Sequence, residues 1–170
     1  MKQTILFLSL ITLSFYSFSQ DADKSKRPSP PAITSGKVGD ATITINYSQP
    51  SVKGRKVWGG LVPYGEVWRS GANEATTFTT DKDIKVEGKL LKAGTYGFFT
   101  VPEQNKWTII FNKTANQWGA FKYDIKQDEL RVSTTPMKSA TFHERLVYTI
   151  EKDKLIISWE NLMVPISLHK

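Results

Sequence analysis

Residues 42–47 read TITINY, so that Ile43, Ile45 and Tyr47 alternate with polar side chains. Successive side chains of a β-strand point to opposite faces, and a period of two therefore predicts a strand with one buried face. Outward from this stretch, apolar and aromatic runs of the same type recur in residues 95–101, 107–111, 130–134, 142–150, 155–159 and 162–168. Together with a hairpin, they lead us to expect about eight or nine strands.

The hairpin is predicted at residues 84–91, where Ile84 and Val86 lead into Glu87-Gly88-Lys89 and then Leu90 and Leu91. A glycine in a short connection between two apolar runs is typical of a tight β-turn. Gly, Pro, Asn and Asp also separate the other runs, and no long helical stripe interrupts them. The sequence therefore predicts an all-β, single-domain, antiparallel β-sandwich, with a barrel-like closure as the alternative.

The first residues are typical of an export signal. Lys2 precedes an apolar stretch over residues 5–18, and small polar residues follow it. We predict a cleaved signal peptide over residues 1–20, a charged and Pro-rich flexible lead-in over 21–32, and a single β domain over 33–170. The mature chain is then expected in the periplasm or outside the cell, with no transmembrane segment.

Composition narrows the chemistry. There is no cysteine, and the two histidines are His143 and His169, so we expect no metal site and no cofactor. The formal net charge is +7, but the lysines are scattered through turns and strand edges, where they protect edges from pairing. Nucleic acid is disfavoured because no clustered basic stripe is present. The sequence leaves the oligomeric state open.

Residues 50–74 do not follow a strand pattern, although they contain Trp58, Tyr64 and Trp68. A connection of this length in a small domain is uncommon unless it packs on itself or carries a function. One interpretation is that the three aromatic side chains plug one end of the sandwich. The other is a recognition surface, because polar and charged residues accompany them: Lys53, Arg55, Arg69, Asn73 and Glu74.

A family resemblance covers nearly the whole chain after the leader. It is carried by residues 50–55 (PSVKGR), 61–76 (LVPYGEVWRSGANEAT), 93–99 (AGTYGFF), 118–119 (WG) and 159–160 (WE). These motifs resemble the family called domain of unknown function 2911 (DUF2911). The resemblance implies an exported bacterial protein of single-domain extent, and it supplies no catalytic residue.

The strand over residues 142–150 contains a carboxylate. By strict alternation, Glu144 shares a face with Leu146 and Tyr148, and we expect it to be buried. A buried carboxylate needs a cation, with Arg69 or Arg131 as candidates, or carries a raised pKa. It then forms either a structural ion pair or, with Glu74, an acid and base in one pocket.

Aromatic residues offer the last candidates. Trp159 alternates with Leu155 and Ile157 and is expected in the core, whereas Trp118 follows a polar loop and is a candidate for an exposed platform. The predicted ligand-binding set is Lys53, Arg55, Arg69, Asn73, Glu74, Trp118 and Asp124. The leading hypothesis is an exported, non-catalytic module that binds a glycan or peptide. The alternatives are a hydrolase that uses Glu74 and Glu144, and a purely structural envelope protein.

Overall fold

The structure, a computed structural model, describes residues 23–170, so the predicted signal peptide lies outside the described residues. Short 3-10 turns occur at Lys24–Lys26 and Ile125–Gln127. The strands are β1 Pro31–Val38, β2 Ala41–Ser48, β3 Thr77–Thr80, β4 Ile84–Val86, β5 Lys89–Leu91, β6 Gly94–Val101, β7 Trp107–Asn112, β8 Asp128–Thr134, β9 Met137–Glu151 and β10 Lys154–His169.

The strands form two antiparallel sheets that do not close into a barrel. One sheet has six strands in the order β1-β2-β3-β6-β7-β8, and the other has four in the order β5-β4-β10-β9. The predicted β-sandwich is therefore confirmed. The predicted hairpin is also confirmed, because β4 pairs with β5 and the turn residues Glu87 and Gly88 have φ angles of 47° and 77°. Two consecutive positive φ angles are typical of a type I′ turn.

The core lies between the sheets and follows the alternation seen in the sequence. Ile43, Ile45 and Tyr47 of β2 are buried, whereas the intervening side chains are more exposed. Strand β6 is covered on both faces. Phe98 belongs to the main core, whereas Phe99 packs with Ala75 in a second, smaller cluster. Residues outside the strands, such as Ala75, therefore cover the outer face of the larger sheet at this point.

Three predictions about the elements were incomplete. The runs 155–159 and 162–168 are one strand, β10, in which Glu160 has a φ angle of 57° at a shift of register with β9. Strand β3 was missed because its only large apolar residue is Phe78, among threonines. Strand β1 begins at Pro31, in a segment whose charge and prolines had suggested a flexible lead-in.

The described part of the predicted lead-in makes specific contacts with the rest of the chain. Residues 23–32 contact the domain through both side chains and backbone carbonyl groups. Arg27 Nη1 donates to both carboxylate oxygens of Glu74 at 3.0 and 2.9 Å, and Lys24 Nζ lies 3.3 Å from Glu74 Oε1. Asn73 donates to the Ser29 carbonyl at 3.0 Å. Composition alone could not reveal these partners, because they lie more than forty residues away.

In residues 23–170, no helix is both long and apolar enough to cross a membrane.

Candidate ligand-binding groove

Buried hydrogen bonds hold the irregular segment of residues 50–76 on the sandwich. Ser70 is buried with a φ angle of 54°, and its carbonyl accepts hydrogen bonds from Tyr148 Oη at 2.6 Å and Thr76 Oγ1 at 3.0 Å. Its hydroxyl donates to Thr100 Oγ1 at 3.0 Å. Burial raises the pKa of Tyr148, so its hydroxyl stays protonated and continues to donate. These hydrogen bonds therefore hold the segment in a fixed position on the sandwich.

Four tryptophans form a packed cluster at one end of the sandwich. The ring of Trp58 lies 4.9 Å from that of Trp107 and 5.6 Å from that of Trp159, in edge-to-face contacts. Trp68 stacks on Trp159 at 5.9 Å. Trp58 and Trp68 thus plug this end, as one interpretation predicted, and Trp159 is core, with 1% of its surface exposed. The prediction was wrong for Tyr64, which is 39% exposed and belongs to the surface.

A surface groove of about 640 Å³ opens beside β1, β2 and β3. Its lining includes Trp118, which is 57% exposed, as predicted for a platform. Its lining combines apolar and polar residues: Lys24, Pro31, Ala32, Ile33, Asn46, Tyr47, Ser48, Glu74, Ala75, Thr77, Ala115, Asn116, Gln117 and Trp118.

Backbone contacts fix Trp118 against Glu74. These two residues form an isolated antiparallel bridge, and the Ala75 amide donates to the Gln117 carbonyl at 2.9 Å. The Gly119 amide donates to the Asn73 carbonyl at 3.1 Å. The end of the 50–76 segment and the loop that carries Trp118 are thus joined, and together they make one wall of the groove.

The carboxylate of Glu74 is ionised at neutral pH. Desolvation is the largest single influence and raises its pKa, but hydrogen bonds from its own amide, Arg27 and Lys24 together outweigh it. The pKa of Glu74 therefore lies below its usual value of 4.5. The groove consequently presents a fixed hydrogen-bond acceptor that remains partly exposed.

One residue of the groove lining has a buried acceptor without a donor. Gln117 Nε2 donates to the Thr114 carbonyl at 2.9 Å, whereas its Oε1 atom is buried and has no hydrogen-bond partner among the described residues. Asn46 Nδ2 lies 3.3 Å from Thr77 Oγ1, which places a further amide and hydroxyl on the opposite side of the lining. Asn46, Thr77 and Gln117 were not predicted from the sequence, although the polar run before Trp118 pointed to the last of them.

The predicted site residues are divided between different places. Glu74 and Trp118 line the groove, whereas Arg55 and Arg69 line a separate, smaller cleft of about 220 Å³. Asn73 holds the lead-in through the Ser29 carbonyl. Asp124 caps the turn Ile125–Gln127 by accepting from the Lys126 amide at 2.9 Å.

The predicted burial of Glu144 was wrong. Glu144 is exposed, and its Oε1 accepts a hydrogen bond from the Lys53 amide at 2.9 Å. Strand β9 contains extra residues where it pairs with β10, and these register shifts break the strict alternation on which the prediction depended. Neither candidate cation pairs with it, because Arg131 Nη1 contacts Asp128 at 2.8 Å and Arg69 lines the smaller cleft.

The structure therefore does not bring Glu74 and Glu144 into one groove. Glu74 is the single carboxylate among the described residues that line the groove. Within residues 23–170, no group of three or more His, Asp or Glu side chains is arranged to hold a metal ion.

Fold and groove together define a small β-sandwich protein with an aromatic-lined surface groove. The chain belongs to the family described as protein of unknown function (DUF2911), which matches residues 29–168 and so nearly the whole chain. No curated protein and no solved structure matches the chain significantly.

Proposed function

We propose that the protein is an exported, non-catalytic module that binds a glycan in the groove between Trp118 and β1–β3. The observation that carries the proposal is the exposed Trp118 ring in the same groove as the partly exposed carboxylate of Glu74, to whose backbone Trp118 is bridged. The export pattern of residues 1–20 supports a role in the periplasm or outside the cell, where glycans are accessible.

The lining fits the two kinds of surface that a sugar presents. The apolar C–H face of a sugar ring can pack on an indole, which combines a large apolar area with low conformational freedom. Sugar hydroxyls both donate and accept, and they find both partners here. The carboxylate of Glu74 supplies acceptors, whereas the side-chain amides of the groove supply donors. The groove volume of about 640 Å³ lies within the usual range of about 300–1,000 Å³ for small-ligand sites.

Binding is favoured over hydrolysis by the charges in the groove. Glycoside hydrolysis ordinarily uses two carboxyl groups on either side of the scissile bond, and one of them stays protonated as the acid. Here Glu74 stands alone in the lining, and the lowered pKa of Glu74 keeps it ionised. A hydrolase in this groove would lack its acid.

The experiment measures binding of neutral oligosaccharides to the purified protein by glycan array, followed by calorimetry on the best ligand. We expect Trp118→Ala to weaken binding at least about tenfold, because the loss of a stacking platform removes about 1.4 kcal/mol or more. Phe121→Ala is the matched control, since Phe121 is an 84% exposed aromatic residue of the same loop that does not line the groove.

Equal losses in both variants, or none in either, would contradict the proposal. Binding of extended peptides in preference to every glycan would assign the groove to a peptide instead, next to the edge strand β1. Shortened saccharides after incubation, detected by mass spectrometry, would restore the hydrolase alternative.

A further inference from the structure

The lining of the smaller cleft contains arginines but no acidic residue among the described residues. The cleft is enclosed by the 50–72 segment and β10 and is lined by Arg55, Arg69, Leu61, Val62, Trp68 and Trp159, among others. Two arginines therefore line a space of about 220 Å³, Arg69 partly buried and Arg55 exposed, and the described lining contains no Asp or Glu. Because a partly buried cation without an anionic partner is costly, the position of Arg69 in this lining points to an anionic ligand.

Arg69 is the more unusual of the two arginines. It is half-buried, and its Nε atom is buried with no hydrogen-bond partner among the described residues. It also forms no ion pair within residues 23–170, unlike Arg27 and Arg131. Desolvation lowers the pKa of Arg69, which shows that burial of its charge is uncompensated. A guanidinium keeps its proton even so, and an anion would remove this cost.

Hydrogen bonds to backbone carbonyl groups hold Arg55 in place, but no described carboxylate neutralises its charge. Its Nε donates to the Val52 carbonyl at 3.0 Å, and its Nη2 donates to the Ser51 carbonyl at 2.6 Å. These bonds orient the guanidinium at the rim and leave its full charge without a carboxylate partner in the described chain.

The indole of Trp159 provides a second unmatched donor, after Arg69 Nε. Trp159 lines the cleft, is 1% exposed, and its Nε1 is buried with no hydrogen-bond partner in residues 23–170. In contrast, Trp68 Nε1 donates to the Gly71 carbonyl at 3.1 Å. The cleft thus combines cationic donors with an apolar wall that includes Leu61 and Val62.

We propose that this cleft binds the carboxylate of a small N-acylated acid with an apolar side chain, such as the C-terminal residue of a peptide. A planar carboxylate matches the forked guanidinium donors, and the apolar body matches the tryptophan and aliphatic wall. The volume suits one residue-sized group. A free ammonium group is disfavoured beside two arginines, which favours the acylated form.

The test uses calorimetry with N-acetyl-L-leucine, its amide N-acetyl-L-leucinamide, and inorganic phosphate. We expect the acid to bind at least about tenfold more tightly than the amide, because only the carboxylate forms charge-assisted hydrogen bonds. A peptide ending in leucine that binds more tightly than the free N-acetyl acid would identify polypeptide C-termini as the source, and the reverse order would favour small acids.

The matched variants are Arg69→Gln and Arg131→Gln, which remove the same charge at different places. We expect Arg69→Gln to weaken acid binding at least about tenfold, and Arg131→Gln to leave it unchanged. Arg69→Gln should also melt no earlier than the wild type, because it removes a half-buried charge that lacks a partner. Trp118→Ala should leave acid binding intact, since the glycan groove is a separate site.

Equal binding of acid and amide, absence of saturable binding, or tighter binding of phosphate than of the acid would each overturn the proposal. These comparisons need only the wild-type protein, so they remain decisive if a variant folds poorly.

Discussion

The groove and the smaller cleft place tryptophan in opposite roles. In the groove, of about 640 Å³, Trp118 is 57% exposed beside a single carboxylate. In the cleft, of about 220 Å³, Trp159 is 1% exposed and stacks with Trp68 beside two arginines. The difference arises from what lies beneath each ring. Trp159 is part of a sheet that faces another sheet, whereas Trp118 stands on a loop with solvent on one side. The ring of Trp159 is therefore part of the packed core, whereas the ring of Trp118 is accessible from solvent.

The strongest test of this contrast compares Trp159→Ala with Trp118→Ala. We expect Trp159→Ala to lower the free energy of unfolding by about 3–5 kcal/mol, because it leaves a large cavity between packed rings. Trp118→Ala should lower it by less than about 0.5 kcal/mol, since its ring is mostly exposed. Urea unfolding followed by circular dichroism measures both values. Similar losses in the two variants would mean that Trp118 is also a packing residue.

A second test adds a methyl group to β6 next to the loop that carries Trp118, in order to disturb the groove without changing the smaller cleft. A methyl group at Gly97 of β6 would lie 2.7 Å from the Thr114 carbonyl oxygen, at the start of the loop that carries Trp118. We expect Gly97→Ala to destabilise the fold by about 1–3 kcal/mol and to weaken glycan binding, because the loop must move. N-acetyl-L-leucine binding should persist.

Thr95→Ala, at an exposed position of the same strand, is the control for Gly97→Ala and should change stability by less than about 0.5 kcal/mol. Loss of both binding activities in Gly97→Ala would show that the two sites are coupled through the sheet.

The smallest expected effect concerns the ion pairs of Glu74. Because the folded pKa of Glu74 is below its usual value of 4.5, its ionisation stabilises the folded state above about that pH. This contribution is lost as pH falls through the folded pKa. Glu74→Gln should therefore destabilise the protein at pH 7 by about 0.5–1 kcal/mol, a modest value because the pair is partly exposed.

The difference between Glu74→Gln and the wild type should vanish in melting curves recorded well below pH 4.5. A difference that persists unchanged in acid would show that the substituted side chain disturbs packing and that the charge is not what matters.

The recurring strand-like runs, of which β2 is the clearest, and the turn residues between them predicted an all-β sandwich, because side-chain period and turn chemistry are local properties of a chain. Trp159 could be placed in the core for the same reason, since it continues the pattern of Leu155 and Ile157. The family resemblance found in the motifs was likewise confirmed.

Tertiary structure alone decided the sites. Local pattern could not show that Glu144 leaves the core, because register shifts between β9 and β10 depend on pairing. It also could not show that Arg27 reaches Glu74 across forty-seven positions, or that Arg69 lines a different space from Trp118. The sequence determined which residues carry charge and aromatic surface, whereas long-range packing determined which of them meet, because contacts between distant segments leave no periodic trace in either segment.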